Sequence, residues 1–304
     1  MTVPRRGLAG AFAAMLFVGI AWGANLPVSK VLIGHFDVVP MTALRLLAVC
    51  VVLAALLAVL EGAAALRIGL STGRFLALGL MMGGFFIVYT LGLQFSHPVS
   101  AAAVLVAGPL VSAATVRLVT GARFDPGFGV ALALTLVGGG ILAFGRFSGS
   151  TQVSLGWGEA VVLFSNAIWA LYSIKAQVWF ASASQLRRTY VASVSALGWT
   201  TLFAGVAIAG GAAAAPWFVR DGWAWAQLVG IAVLATGLGG VFWNLGASRL
   251  GVAVASLWIN LVPLFAVLIS MAYGFVPNGY QIAGGLVALS GVVYMQWRKM
   301  TASQ

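Results

Sequence analysis

Charge is scarce in this chain, and acidic charge scarcest: Lys and Arg number 16 and Asp and Glu only 5 among 304 residues. That excludes the solvated surface of an ordinary soluble domain, in which roughly a quarter of residues are charged. Cysteine occurs once, at Cys50. A lone cysteine excludes a disulfide within the chain and any two-cysteine metal site, and amid apolar neighbours it reads as a small core residue. Dense clusters of carboxylates, a P-loop and a selectivity ring are all missing, which removes the usual signs of a metal centre, an ATP-driven pump and a channel. No metal and no cofactor is expected. There is also no polar stretch long enough to fold as a catalytic or nucleotide-binding domain, so the chain reads as a non-enzyme.

What abounds is apolar. The chain is 62% hydrophobic, with a mean hydropathy of +1.06. A membrane span needs about 20 mostly apolar residues, so this length supplies about ten spans and almost nothing else. The candidate spans are 9–34, 39–60, 73–94, 98–120, 127–145, 156–180, 188–212, 222–246, 251–273 and 279–297. The expected fold class is therefore all-α, a polytopic membrane protein of ten transmembrane helices. The first stretch follows Arg5 and Arg6 as a secretory signal would. It is too long for one, contains Asn25 and Lys30, and lacks a clear small-residue cleavage site, so it is expected to stay in the mature chain.

The basic residues recur in rhythm. Arg5, Arg6, Arg67, Arg74, Arg117, Arg123, Arg187, Arg188, Arg249, Arg298 and Lys299 fall on one side of the predicted bilayer, and the opposite loops hold only Arg146 and Arg220. That bias places both termini in the cytoplasm. The net charge of +11 is spread over successive loops instead of tiling one face, which argues against nucleic acid as a partner and leaves membrane lipids and a small solute. Asp37 and Asp221 lie in outer loops, Glu61 and Asp125 in inner ones, and Glu159 at the entry to the sixth span. No buried carboxylate is evident among them.

Residues 91–109, LGLQFSHPVSAAAVLVAGP, align without a gap on 245–263, LGASRLGVAVASLWINLVP, so that Gly92 meets Gly246, Ala101 meets Ala255 and Pro109 meets Pro263. Trp22 and Lys30 pair more loosely with Trp169 and Lys175, and Gly138 to Gly140 with Gly284 and Gly285. The matches keep their order, which predicts two five-span repeats, 9–145 and 156–297. Five is odd, so the second repeat enters from the other side of the membrane. Inverted repeats let one central site face either side in turn.

AWGANLPVSK at 21–30 with VVPMTALRLLA at 38–48, NAIWALYSIKAQ at 166–177, and FWNLGASRLGVAVASLWINLVPLFAVLIS at 242–270 together resemble the EamA family of the drug/metabolite transporter superfamily. The resemblance covers nearly the whole chain. It implies a ten-span secondary carrier of a bacterial inner membrane, exporting amino acids, other metabolites or toxic compounds, with a cavity lined by spans one, three, four, six, eight and nine. Many members carry a Gly-Glu pair after the fourth and ninth spans; here Gly121 precedes Ala122 and Gly274 precedes Phe275. Proton coupling stays open. The competing readings are a multidrug or toxic-cation exporter, a channel, and a non-transporting membrane subunit.

Polar residues inside the spans mark the expected path. Trp22, Asn25 and Ser29 share one face of the first span, and Asn166, Trp169 and Ser173 one face of the sixth, with Tyr172 beside them. Amides in hydrocarbon need a partner or water, so each face either holds helices together or lines a cavity. Tyr89, Trp243, Asn244, Ser256, Trp258 and Asn260 extend the same chemistry. Short amides with rings suit compact solutes with a polar headgroup, amino acids above all. Lys30, Arg45 and Lys175 are the basic residues within spans, and are read as snorkelling side chains, as gates or as a lure for a carboxylate. Pro109 and Pro263 interrupt the helical ladder at matched places and are gating candidates.

Overall fold

The computed structural model describes residues 5–96, 106–144, 156–271 and 278–302. Ala101, Arg146, Gly274 and Phe275 lie outside the described residues, as do the side chains of Arg5, Arg6 and Lys30. Among the described residues the chain is helical throughout, connected by turns and short 3-10 segments. The helices are α1 (Arg5–Ile33), α2 (Val38–Glu61), α3 (Thr72–Phe95), α4 (Gly108–Thr120), α5 (Phe128–Phe144), α6 (Trp157–Trp179) and α7 (Gln185–Ala209). α8 runs Gly222–Leu250, with a π-turn at Ala232–Leu238. α9 is interrupted: Val252–Ser256, a 3-10 turn Leu257–Leu261, then Val262–Met271. α10 is Gly279–Ala302.

A helix satisfies its own backbone, the requirement that hydrocarbon imposes on any apolar segment crossing it. Seven stretches among the described residues are long and apolar enough to cross a membrane, one each in α1, α2, α3, α6, α7, α8 and α9. The corresponding apolar stretch of α5, Phe128–Ile141, is shorter. Large apolar side chains such as Val51, Val137, Phe164, Leu202 and Leu286 face outward, where water would penalise them and lipid would not. Mid-helix Ser and Thr return their hydroxyls to carbonyls three or four residues back, as Thr42 does to Val38 at 2.7 Å and Thr90 to Phe86 at 2.7 Å.

The bundle has two unlike ends. At one, Ser184 donates to Glu61 at 2.6 Å, Arg187 donates to the Arg67 carbonyl at 2.9 Å, and Lys299 pairs with Asp125 at 2.8 Å. At the other, the Ala214 amide donates to Asp37 at 2.5 Å, and His35 lies 3.9 Å from Asp221. The first is the basic end, the second the far end. Exposed Trp157, Trp217 and Trp223 sit at the far end and half-exposed Trp297 near the basic end, positions that suit indole rings at a membrane surface.

Packing pairs the halves. α2 lies on α7 and α5 on α10; α1 lies on α8 and α9, while α6 lies on α3 and α4. The α5–α10 seam depends on missing side chains: a Cβ at Gly138 would stand 2.1 Å from the Ala288 nitrogen and 2.7 Å from the Gly284 carbonyl. Close helix approach in a membrane needs such small residues. Gly138→Leu is expected to cost about 1–3 kcal/mol or more by forcing the backbones apart. Its check is the melting temperature in detergent, which should fall for Gly138→Leu and stay put for Gly140→Leu, since nothing lies within 4 Å of a Cβ at Gly140. Gly251 joins α8 to α9 at φ +84°, a left-handed turn that a side chain would strain.

Candidate functional site

Between the halves lies a cavity of about 820 Å³, its open mouth included. α1 contributes Trp22 and Asn25, α2 Arg45, α3 Phe85, Phe86 and Tyr89, α6 Asn166 and Trp169, α8 Thr236 and Gly240, and α9 Val262 and Pro263. Asn25 and Arg45 each sit about two turns from the far end of their helices, at 5.4 Å per turn. The cavity therefore occupies the far half of the bundle.

Its walls are mostly rings. Trp22 and Trp169 meet edge to face at 5.7 Å, Trp22 stacks on Trp243 at 5.4 Å, and Phe85 lies 4.7 Å from Trp169 and 5.6 Å from Tyr89. Phe85, Phe86 and Tyr89 fall three and four positions apart on α3, so one helix face delivers all three. That face was readable from Tyr89 backward, and only Tyr89 had been singled out from sequence.

The π-turn of α8 supplies the polar wall. Trp22 Nε1 donates to the Ala235 carbonyl at 2.9 Å, and Arg45 Nε donates to Thr236 Oγ1 at 2.5 Å. The extra residue of a π-turn turns such groups off the regular ladder, a device found often at functional sites. Gly239 completes the seat, because a Cβ there would stand 2.8 Å from Trp22 Nε1. Arg45 Nη2 also donates to Asn25 Oδ1, and its guanidinium carbon stands 5.6 Å from the centroid of Phe86. Arg45 is thus a buried wall residue of the cavity and does not reach out to a headgroup.

The other sequence candidates divide. Ser29 is buried and donates to Asn25 Oδ1 at 3.1 Å, supporting the site without lining it. Asn166 lines the cavity, with Nδ2 turned back to the Val162 carbonyl at 3.0 Å. Tyr172, Ser173, Trp243 and Asn244 form a packed layer toward the basic end. There Trp243 Nε1 donates to Ser173 Oγ at 2.9 Å, and Asn244 Nδ2 donates to Thr189 Oγ1 at 3.0 Å and, at 3.4 Å, to the Tyr172 hydroxyl. Gln177 Nε2 donates to Asn244 Oδ1 at 3.1 Å, and Arg188 Nη1 donates to Gln177 Oε1 at 2.7 Å. Ser256 is buried and bonded to the Ala253 carbonyl at 2.7 Å, Trp258 stacks on Phe12 at 6.5 Å, and Asn260 is buried with neither amide atom partnered. Lys175 Nζ lies 5.5 Å from the centroid of Trp179, away from the cavity. Pro109 is buried at the start of α4, whereas Pro263 lines the cavity.

Two expectations change. The resemblance implied a cavity lined by spans one, three, four, six, eight and nine; the described lining includes α2 through Arg45 and takes nothing from the described part of α4. No buried carboxylate was evident in the sequence, yet Glu159 is 3% exposed, with Oε2 accepting from the Gly156 amide at 2.9 Å and Oε1 without a partner. A residue at a span entry counts as solvated in a linear reading. Here Gly158 lets α6 close against the end of α3, since a Cβ there would stand 2.7 Å from the Phe95 carbonyl, and that closeness covers the first turn of α6.

A multi-pass helical bundle with a ring-lined, solute-sized cavity between its halves has the build of a membrane transporter. Residues 156–297, the second half of the bundle, match the EamA-like transporter family. It is similar to the uncharacterized transporter YyaM of Bacillus subtilis (strain 168), 23% identical over 287 residues that cover 93% of this chain and 92% of the relative. A protein known from its crystal structure has the same fold, with a TM-score of 0.75 at 18% identity, covering 99% of this chain and 100% of the other.

Proposed function

We propose that the protein is a secondary carrier of a bacterial inner membrane, exporting amino acids and related small metabolites by alternating access. The observation that carries this reading is the cavity itself, which draws its walls from both halves and combines amides with stacked rings. The ten spans form two inverted repeats, 9–145 and 156–297, with both termini cytoplasmic. Matched residues support the repeat: Trp22 meets Trp169, Gly138 abuts Gly284, and Gly92 on Val162 mirrors Gly246 on Met15. Equivalent residues touch one another only near a twofold axis. The 3-10 break before Pro263 supports a role in gating, as it leaves a short half-helix free to tilt, and its repeat partner Pro109 stands in the first turn of α4. The packed layer around Asn244 fits a state closed toward the cytoplasm.

The decisive experiment is counterflow in sealed proteoliposomes across a panel of amino acids. Saturable uptake with exchange is expected; flux that never saturates would mean a channel, and no flux of any solute a non-transporting subunit. Topology offers a second check. Tags at either terminus and in the 181–188 loop should be cytoplasmic, and one near Asp221 external. Termini on opposite sides would exclude ten spans.

A further inference from the structure

We propose that Arg45 is the anchor for a carboxylate carried by the solute, so that the cavity selects organic carboxylates with an apolar or aromatic body and rejects amines that lack the acid. This rests on the reading of the cavity as the solute site. Arg45 is 6% exposed, and a buried cation is costly unless an anion or a full set of acceptors compensates it.

The chain's own anions are all engaged or placed elsewhere. Asp37, Glu61, Asp125 and Asp221 are held at the two ends of the bundle, and Glu159 lies in the first turn of α6. No carboxylate lines the cavity among the described residues. Arg45 therefore has only neutral partners, Thr236 Oγ1 and Asn25 Oδ1, and no acceptor among the described residues meets its Nη1. The other buried arginine provides the contrast. Arg188 donates to Gln177 and Gln185 and to the Phe180 carbonyl at the C-terminus of α6, where the helix dipole is negative, so its charge is answered within the protein.

A second donor in the wall points the same way. Trp169 Nε1 is buried without an acceptor, whereas Trp22 Nε1 is already spent on the Ala235 carbonyl. Both unfilled donors belong to side chains that border the Phe86 ring, the guanidinium carbon at 5.6 Å and the Trp169 ring at 6.3 Å. The remaining wall is aromatic and suits the body of the solute. An ammonium finds no carboxylate there, only ring faces, so it adds little to affinity and is not required.

Binding to the purified protein, read from quenching of tryptophan fluorescence, separates this proposal from the carrier reading because no transport is involved. The ligands are phenylalanine, 3-phenylpropionate, phenylalanine methyl ester and 2-phenylethylamine. The two carboxylates are expected to bind at least about tenfold more tightly than the ester and the amine, the scale of a lost charged hydrogen bond. Arg45→Gln should remove that preference and Arg45→Lys restore part of it. If Arg45→Gln does not fold, the ligand series on the unaltered protein decides by itself. Equal binding of acid and amine, no binding of either carboxylate, or an acid preference that survives Arg45→Gln would overturn the anchor. Saturable counterflow seen alongside such a result would leave the carrier intact.

Discussion

Asn25→Asp is expected to abolish carboxylate binding while leaving the protein as stable as before, and Asn25→Leu to weaken the fold without supplying the anion that competes with the solute. Asn25 Oδ1 accepts from both Arg45 Nη2 and Ser29 Oγ. An aspartate in that place keeps the acceptor and adds the missing charge, so Arg45 gains a permanent internal anion and the solute loses its own. Losing a bidentate charged contact corresponds to about a hundredfold in Kd, or about 2.7 kcal/mol. Leucine instead strips the guanidinium of one of its two acceptors within a buried wall, at a cost of about 1–3 kcal/mol of stability. Melting temperature and ligand affinity, measured together, should thus rank the proteins differently: Asn25→Asp keeps the stability of the unaltered protein and loses its affinity, whereas Asn25→Leu loses stability first. Retained carboxylate affinity in Asn25→Asp would make Asn25 a packing residue only. Asn166→Leu should be milder in stability, because the Asn166 amide is spent on its own helix at Val162.

Much of the bundle was legible in composition, because apolar runs of span length bounded by Arg and Gly leave few alternatives. The expected span 39–60 is the helix Val38–Glu61, and 73–94 is Thr72–Phe95. The shared face of Trp22, Asn25 and Ser29 was readable as well, since three- and four-residue spacing fixes it in any helix. Which of those residues reach the cavity was not, because that depends on what the neighbouring helix offers. Ser29 turns to Asn25, and Trp22 finds a carbonyl more than 200 positions away. The π-turn that provides that carbonyl leaves no clear signal in AVLATGL; a widened turn is chosen by tertiary fit against Trp22 and Arg45, not by local propensity. The choice among snorkelling, gating and attracting a carboxylate was not legible for Arg45 for a related reason. Near the end of a span a long basic chain usually finds water, and only the arrangement of α1 and α8 around it makes the inward path the satisfied one.

Asn244→Leu is expected to open the basic half. Asn244 is fully buried and ties together three helices: its own α8, α7 through Thr189, and α6 through Gln177 and Tyr172. Leucine fills similar space but leaves the Gln177 amide without its side-chain acceptor and frees Gln177 to swing from Arg188. Each buried polar group left unmatched costs about 1–3 kcal/mol, and water entering from the basic end is the simplest way to relieve it. The readout is a cysteine placed in the layer. Ser173→Cys, in a Cys50→Ala background, should react slowly with a membrane-impermeant maleimide added from the cytoplasmic side, because Ser173 is buried beneath Trp243. Adding Asn244→Leu should speed that reaction at least about tenfold, equivalent to about 1.4 kcal/mol in favour of an open layer. A merely structural amide predicts a different pair of results, with the melting temperature falling and the cysteine staying shielded. Faster labelling from the external side instead would place the closed layer at the wrong mouth and reverse the assignment of the basic end to the cytoplasm.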